Sequence, residues 1–220
     1  MSNSQLSPTT NAFFRAAILI IAPTVMLLGH GYHPWIGTPG DADFFERLGA
    51  AVSADPTRWW ISHLGIALGS GLLILAFLAI RGHLREAGEE RWTVLGLPFI
   101  VMGSVLYALL PAIEFAPLAA FRAGADPGAV QAALVPWFVS ILRTSAAIFA
   151  FGVLAYVIGI ARSGVLSRGL SWVVLGALVL LAVTRFFPLG AAQLYVGPVA
   201  SLLALWPLAY VVWKQESARE

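Results

Sequence analysis

The chain has no cysteine and a single lysine. Without thiols there is no disulfide, no thiolate nucleophile, no iron–sulfur cluster and no Cys-ligated zinc. The lysine, Lys214, lies near the C-terminal end, so none stands mid-span to form a Schiff base of the retinal kind. Charge is scarce too: 11% of the 220 residues are charged, against 59% hydrophobic. The formal net charge is +2, and the basic residues sit in short loops, not in a patch that suits nucleic acid. Gly-x-Ser-x-Gly, His-Glu-x-x-His, phosphate-loop and dinucleotide motifs are absent.

Long apolar runs stand in their place. Several windows go 18 residues or more without a charge, the length at which an apolar helix crosses a bilayer. The pattern predicts an all-α integral membrane protein, a six-helix bundle forming one transmembrane domain over 1–220. The spans run from about Asn11 to His30, Trp59 to Ile80, Trp92 to Ile113, Pro136 to Ala161, Leu170 to Phe187, and Tyr195 to Trp213. Pro23, Pro98, Pro198 and Pro207 fall inside them, which bilayer helices tolerate. The first span reads as retained, not as a cleaved signal peptide: its apolar run is long and no small-x-small site follows.

Orientation follows from the basic residues. With both termini cytoplasmic, the inner segments hold Arg15, Arg81, Arg85, Arg91, Arg162, Arg168, Lys214 and Arg219, and the outer loops only Arg47, Arg58 and Arg122. Trp59, Trp60, Trp92, Trp137, Trp172 and Trp213 fall at span ends, as an interfacial aromatic belt would. The inner loops, including Arg81 to Arg91 around His83, are short and solvated on this reading. Function is therefore sought in the membrane or on its outer side.

The first outer loop has structure of its own. Gly37-Thr38-Pro39-Gly40 is turn chemistry. Asp43 and Glu46 have capping-box spacing, and Phe44, Phe45, Leu48 and Val52 share a helical face. A short amphipathic helix on the outer surface is expected, either a lid or a packed loop helix. Asp55-Pro56 and Asp126-Pro127 are helix starts, with Asp as N-cap and Pro at the first helical position. Trp92 to Gly96 and Trp172 to Gly176 resemble each other, and aligning them sets His63 opposite Arg143 as in a weak internal repeat.

Ionisable groups inside a bilayer are costly and need partners. His30 ends the first span, His63 lies one turn below Trp59, Glu114 closes the third span, and Arg143 sits about two turns below Pro136. Arg185 is ~22 Å from the inner end of the fifth span at helical rise. Five helices thus bring one such group each to the outer third of the membrane, where a shared interior is expected. Two arginines against one glutamate leave a cation over, which an anionic lipid or small-molecule ligand would balance. Three readings stay open. The groups are structural; or they line a ligand cavity; or His30, His33, His63 and Glu114 hold a transition metal. In the sharpest metal version His30 and His63 ligate a haem whose propionates meet Arg143 and Arg185. In an enzyme acting on a lipid or isoprenoid, Glu114 is the candidate general acid or base. A transporter or an accessory subunit is the remaining class, lowered by an inner half without polar residues. Gly65-x-x-x-Gly69 reads as an intramolecular helix contact.

His33-Pro34 at the end of the first span, followed by Trp59-Trp60-Ile61-Ser62-His63, resembles small multi-spanning bacterial membrane proteins with the same His-Pro and Trp-x-x-x-His pattern. The resemblance covers about a third of the chain. It implies an integral membrane fold and supplies no activity; a multi-pass protein of the bacterial inner membrane is expected.

Overall fold

The computed structural model describes residues 8–187, 190 and 192–217. Arg219, one of the basic residues used for orientation, lies outside them. The regular elements are α1 (Pro8–Tyr32), α2 (Phe44–Ala54), α3 (Pro56–Glu86), α4 (Arg91–Ile113), α5 (Phe115–Arg122), α6 (Pro127–Ser163), α7 (Arg168–Thr184) and α8 (Gly197–Ser217). A π-helical turn, Ala192–Val196, leads into α8. Among the described residues there is no strand, only an isolated bridge between Pro39 and Asp41.

Five helical stretches are long and apolar enough to cross a membrane: Asn11–Tyr32, Pro56–Glu86, Arg91–Arg122, Pro127–Ser163 and Ala192–Gln215. Arg168–Thr184 is apolar but has only 17 residues. The outward-facing side chains include Phe14, Leu28, Leu68, Phe151 and Leu203, an apolar exterior that lipid would solvate and water would not. Together these features make a multi-pass membrane protein.

Helix starts follow local chemistry where the sequence is explicit. Asp55 accepts from the Arg58 backbone N–H at 2.9 Å, and Asp126 from Gly128 at 2.8 Å. Pro56 and Pro127 occupy the first turns, where their missing N–H removes no helical bond. Pro136 does not delay the helix that Asp126 begins. The fourth apolar segment therefore starts at Pro127 and runs unbroken for 37 residues. The capping box at Asp43 does not form. Asp43 makes no side-chain cap, because its carboxylate is drawn one turn along to Arg47 at 2.9 Å, which also holds Asp41 at 2.6 Å. The Thr38 backbone N–H, and after it the Arg47 guanidinium, keep the exposed Asp41 carboxyl below the usual carboxylate range.

Packing runs from neighbour to neighbour. α1 lies between α3 and α8, α4 between α3 and α6, and α7 between α6 and α8. The α1–α3 contact is made by glycine. A Cβ on Gly29 would stand 2.7 Å from the Ile66 nitrogen, and one on Gly69 2.9 Å from the Met26 Cα. Leu19, Leu73, Phe77, Phe149, Tyr156 and Leu178 fill the shared core.

At one end of the molecule ion pairs tie the chain together, Arg15 with Glu86 and Arg81 with Glu90, each at 2.6 Å. α3 extends through this segment, so His83 is buried on a helix and not solvated in a loop. At the other end α2 lays Phe44, Leu48 and Val52 against Ile36, Trp59 and Leu118, while Phe45 is half-buried beside them. Trp59 is fully buried there and is no belt residue, whereas Trp60, Trp137, Trp172 and Trp213 are exposed.

Candidate functional site

Three helix ends build the polar cluster. α1 carries His30 in its last turn, and His33 follows its end at Tyr32. His63 lies on the second turn of α3, and Glu114 is the residue that caps α4 before α5 begins. All four side chains are buried, His63 completely.

Each imidazole is oriented by a backbone carbonyl. His30 Nδ1 lies 2.8 Å from the Met26 carbonyl, His33 Nδ1 2.7 Å from that of Pro34, and His63 Nδ1 2.6 Å from that of Trp59. A carbonyl only accepts, so each Nδ1 carries the hydrogen and donates it. In the neutral ring Nε2 is then a lone pair. His63 Nε2 meets the Glu114 carboxylate, Oε2. His33 Nε2 is buried without a hydrogen-bond partner. One ligand atom from each of His33, His63 and Glu114 lies within 4.8 Å of the other two. The His33 and His63 rings are 4.9 Å apart, edge to face.

With each Nδ1 donating, the two Nε2 lone pairs and the carboxylate form a set of acceptors in one buried cluster. Such a set requires a cation between them, a proton or a metal ion. An Nδ1–H bound to a backbone carbonyl is the arrangement that orients a metal-ligating histidine. Trp59 organises the site twice over: its carbonyl aligns His63, and its indole N–H donates to the Glu114 carbonyl at 2.8 Å.

The cluster opens on a cavity of about 20 Å³ that His30, Tyr107 and Gln193 also line. That volume admits one ion or water. The cavity is far smaller than a porphyrin, and His63 Nε2 is engaged by Glu114 rather than facing His30. Within the pairing expected from sequence, His33 replaces His30 as the histidine beside His63: α1 carries on past His30 to Tyr32, and His33 follows it. His30 lines the cavity without joining the three-ligand group.

The arginines separate. Arg143 is exposed on α6 between the buried Leu142 and Ser145. It faces outward, apart from the cluster, and the repeat that set it opposite the buried His63 gains no support. Arg185 is 3% exposed and lies over the rings of Phe149 and Tyr107, its Cζ 3.5 and 4.3 Å from their centroids. Pattern marks Trp59 only as the Trp of Trp-x-x-x-His, without its role, and does not single out Tyr107 or Gln193. The nearest signal is Gln193, an amide in an apolar stretch.

Compared with protein-family models, curated proteins and solved structures, the chain matches none.

Proposed function

We propose that this membrane protein binds one divalent transition-metal ion through His33, His63 and Glu114. The reading rests on one observation: three buried donor groups within 4.8 Å of one another, with a backbone carbonyl holding Nδ1 of each histidine. Two histidines and a carboxylate are the donor set of catalytic zinc and of non-haem iron(II), and both leave a coordination position open. Here that position would face the cavity shared with His30 and Gln193.

The membrane setting belongs to the same proposal. α7 is taken as a sixth span, completing a ring of six helices, because it connects the far end of α6 to the start of α8. Its 17 residues rise about 26 Å, and the turn after it lengthens the crossing. The bias of basic residues puts both termini in the cytoplasm of a bacterial cell and the metal site towards the outer face of the inner membrane. α2 would then lie over the site at that face.

The deciding experiment is metal analysis of detergent-purified protein, wild type beside His63→Ala. About one metal per chain, lost in the variant, is the result expected. Protein that is metal-free from metal-replete cells and takes up neither zinc, iron(II) nor manganese would overturn the reading. A proton shared by His63 and Glu114 would then be the cation of the cluster.

A second reading has its own support. Glu114 also borders a chamber of about 280 Å³ walled by Phe44, Phe45, Val135, Phe138 and Leu142. An apolar chamber against a metal-ligating carboxylate suits an enzyme acting on a lipid or isoprenoid. Mass spectrometry of an organic extract tests it. A lipophilic molecule that is retained by wild type and lost in Leu142→Trp supports the reading; an empty extract opposes it.

A further inference from the structure

Arg185 is a buried cation without a counter-ion. It ends α7, its backbone N–H bonded to the Ala182 carbonyl at 3.3 Å. The aromatic rings of Phe149 and Tyr107 engage the guanidinium through its π-face, which leaves its N–H edge to be satisfied. Neither Nη1 nor Nη2 has a hydrogen-bond partner, and among the described residues no carboxylate pairs with it. Glu114 is committed to His63. Pro188, Leu189 and Ala191, the next undescribed residues along the chain, have no acidic side chain.

The guanidinium borders a small cavity with Thr184, His30, Gln193 and Tyr107. Its volume is about 10 Å³, room for one particle of roughly the size of water. Thr184 Oγ1 is occupied, donating to the Leu181 carbonyl. Gln193 Nε2 donates to the Tyr107 hydroxyl at 2.9 Å, and Gln193 Oε1 has no partner. Oxygen and nitrogen of such an amide are set by its surroundings. An anion in the cavity would favour the amide turned over, with the Tyr107 hydroxyl donating to its oxygen and the NH₂ group facing the cavity as a third donor beside Nη1 and Nη2.

We propose that Arg185, with Gln193, holds a small monovalent anion of the halide class, chloride or its like. Charge requires one negative unit, the cavity limits the size, and the free guanidinium nitrogens Nη1 and Nη2 are donors. The guanidinium charge makes the site select for an anion. The site adjoins the metal cavity and shares His30, Tyr107 and Gln193 with it, but its charge lies on Arg185 and stands whether or not metal binds.

The test uses full-length protein in detergent, chelated, at constant ionic strength, with sodium chloride exchanged for sodium gluconate. Gluconate is too large for the cavity. Chloride and bromide are expected to raise the melting temperature saturably, by about 5 °C. Arg185→Lys should weaken the apparent affinity for chloride, and Arg185→Met should abolish the response. Equal melting temperatures in chloride and gluconate would overturn the proposal, as would a chloride response that survives in Arg185→Met. Should that variant not fold, crystals of wild type grown in bromide decide: an anomalous peak beside Arg185 supports the site, and water alone there refutes it. Repeating the titration on metal-loaded protein separates this result from the fate of the metal reading.

Discussion

The indole of Trp59 donates to the backbone carbonyl of Glu114 across 2.8 Å, joining the first turn of α3 to the end of α4. The same residue's carbonyl accepts from His63. One side chain and its own backbone therefore position two members of the polar cluster. Trp59→Phe removes the donor and keeps most of the volume. The buried Glu114 carbonyl is left unpaired, at a cost of about 1–3 kcal/mol. Metal content per chain and thermal unfolding, measured together, are expected to fall together. Unchanged metal content would mean that Glu114 is held by α4 and α5 alone.

His33 and His30 differ in what they contribute although they are neighbours in sequence. His33 belongs to the three-ligand group and His30 does not. His33→Ala should lose the metal, while His30→Ala should retain most of it. Elemental analysis of both variants after identical purification decides. The reverse ranking would move the site towards the position that spacing alone favours.

Arg143 is exposed and makes no part of the cavity wall. Arg143→Gln is expected to leave metal content and chloride response at wild-type values. A loss of either, with the melting temperature unchanged, would show that α6 turns differently in the membrane.

The α1–α3 contact predicts opposite outcomes for two glycines on α3 and its partner. Gly29→Ala places a methyl 2.7 Å from the Ile66 backbone, whereas Gly71 has nothing within 4 Å. Overpacking of this kind costs about 1–3 kcal/mol. Gly71→Ala should be neutral or stabilising by up to ~1 kcal/mol through helix propensity. Thermal unfolding in one detergent compares the pair directly.

Asp41 carries the pH dependence of the loop before α2. Its carboxyl is held low by the Thr38 N–H and by Arg47. A depressed acid stabilises the folded loop above its unfolded value of about 3.9, and that contribution is lost as pH falls through the lower folded value. The Thr38 amide resonance should titrate with a midpoint below 3.9. Arg47→Gln should move that midpoint up, and Asp41→Asn should remove the transition.

Much of the helical layout is legible in the sequence because its causes are local. In lipid, backbone groups must be satisfied within the segment, so an apolar run of sufficient length becomes a helix. Asp55-Pro56 and Asp126-Pro127 start helices through bonds that reach two or three residues. Asp43 shows the limit of the same reasoning, since an Arg one turn away competes for its carboxylate. α5 escapes notice for a related reason: eight residues with Pro117 inside are too short to show a period.

The sequence by itself determined that the protein is helical, that it has the apolar lengths of a membrane protein, and that His30, His63, Glu114 and Arg185 are costly groups in need of partners. Which of them meet was decided only by the tertiary structure. Each residue along a helix turns a side chain by ~100°, so spacing gives depth, while the contact between helices gives direction. The glycine contact of α1 with α3 helps set that direction for His33 and His63, and Trp59 for Glu114. Arg143 and Arg185 show the difference most plainly. Both are arginines in apolar helices, yet one projects outward and the other lies across Phe149 and Tyr107.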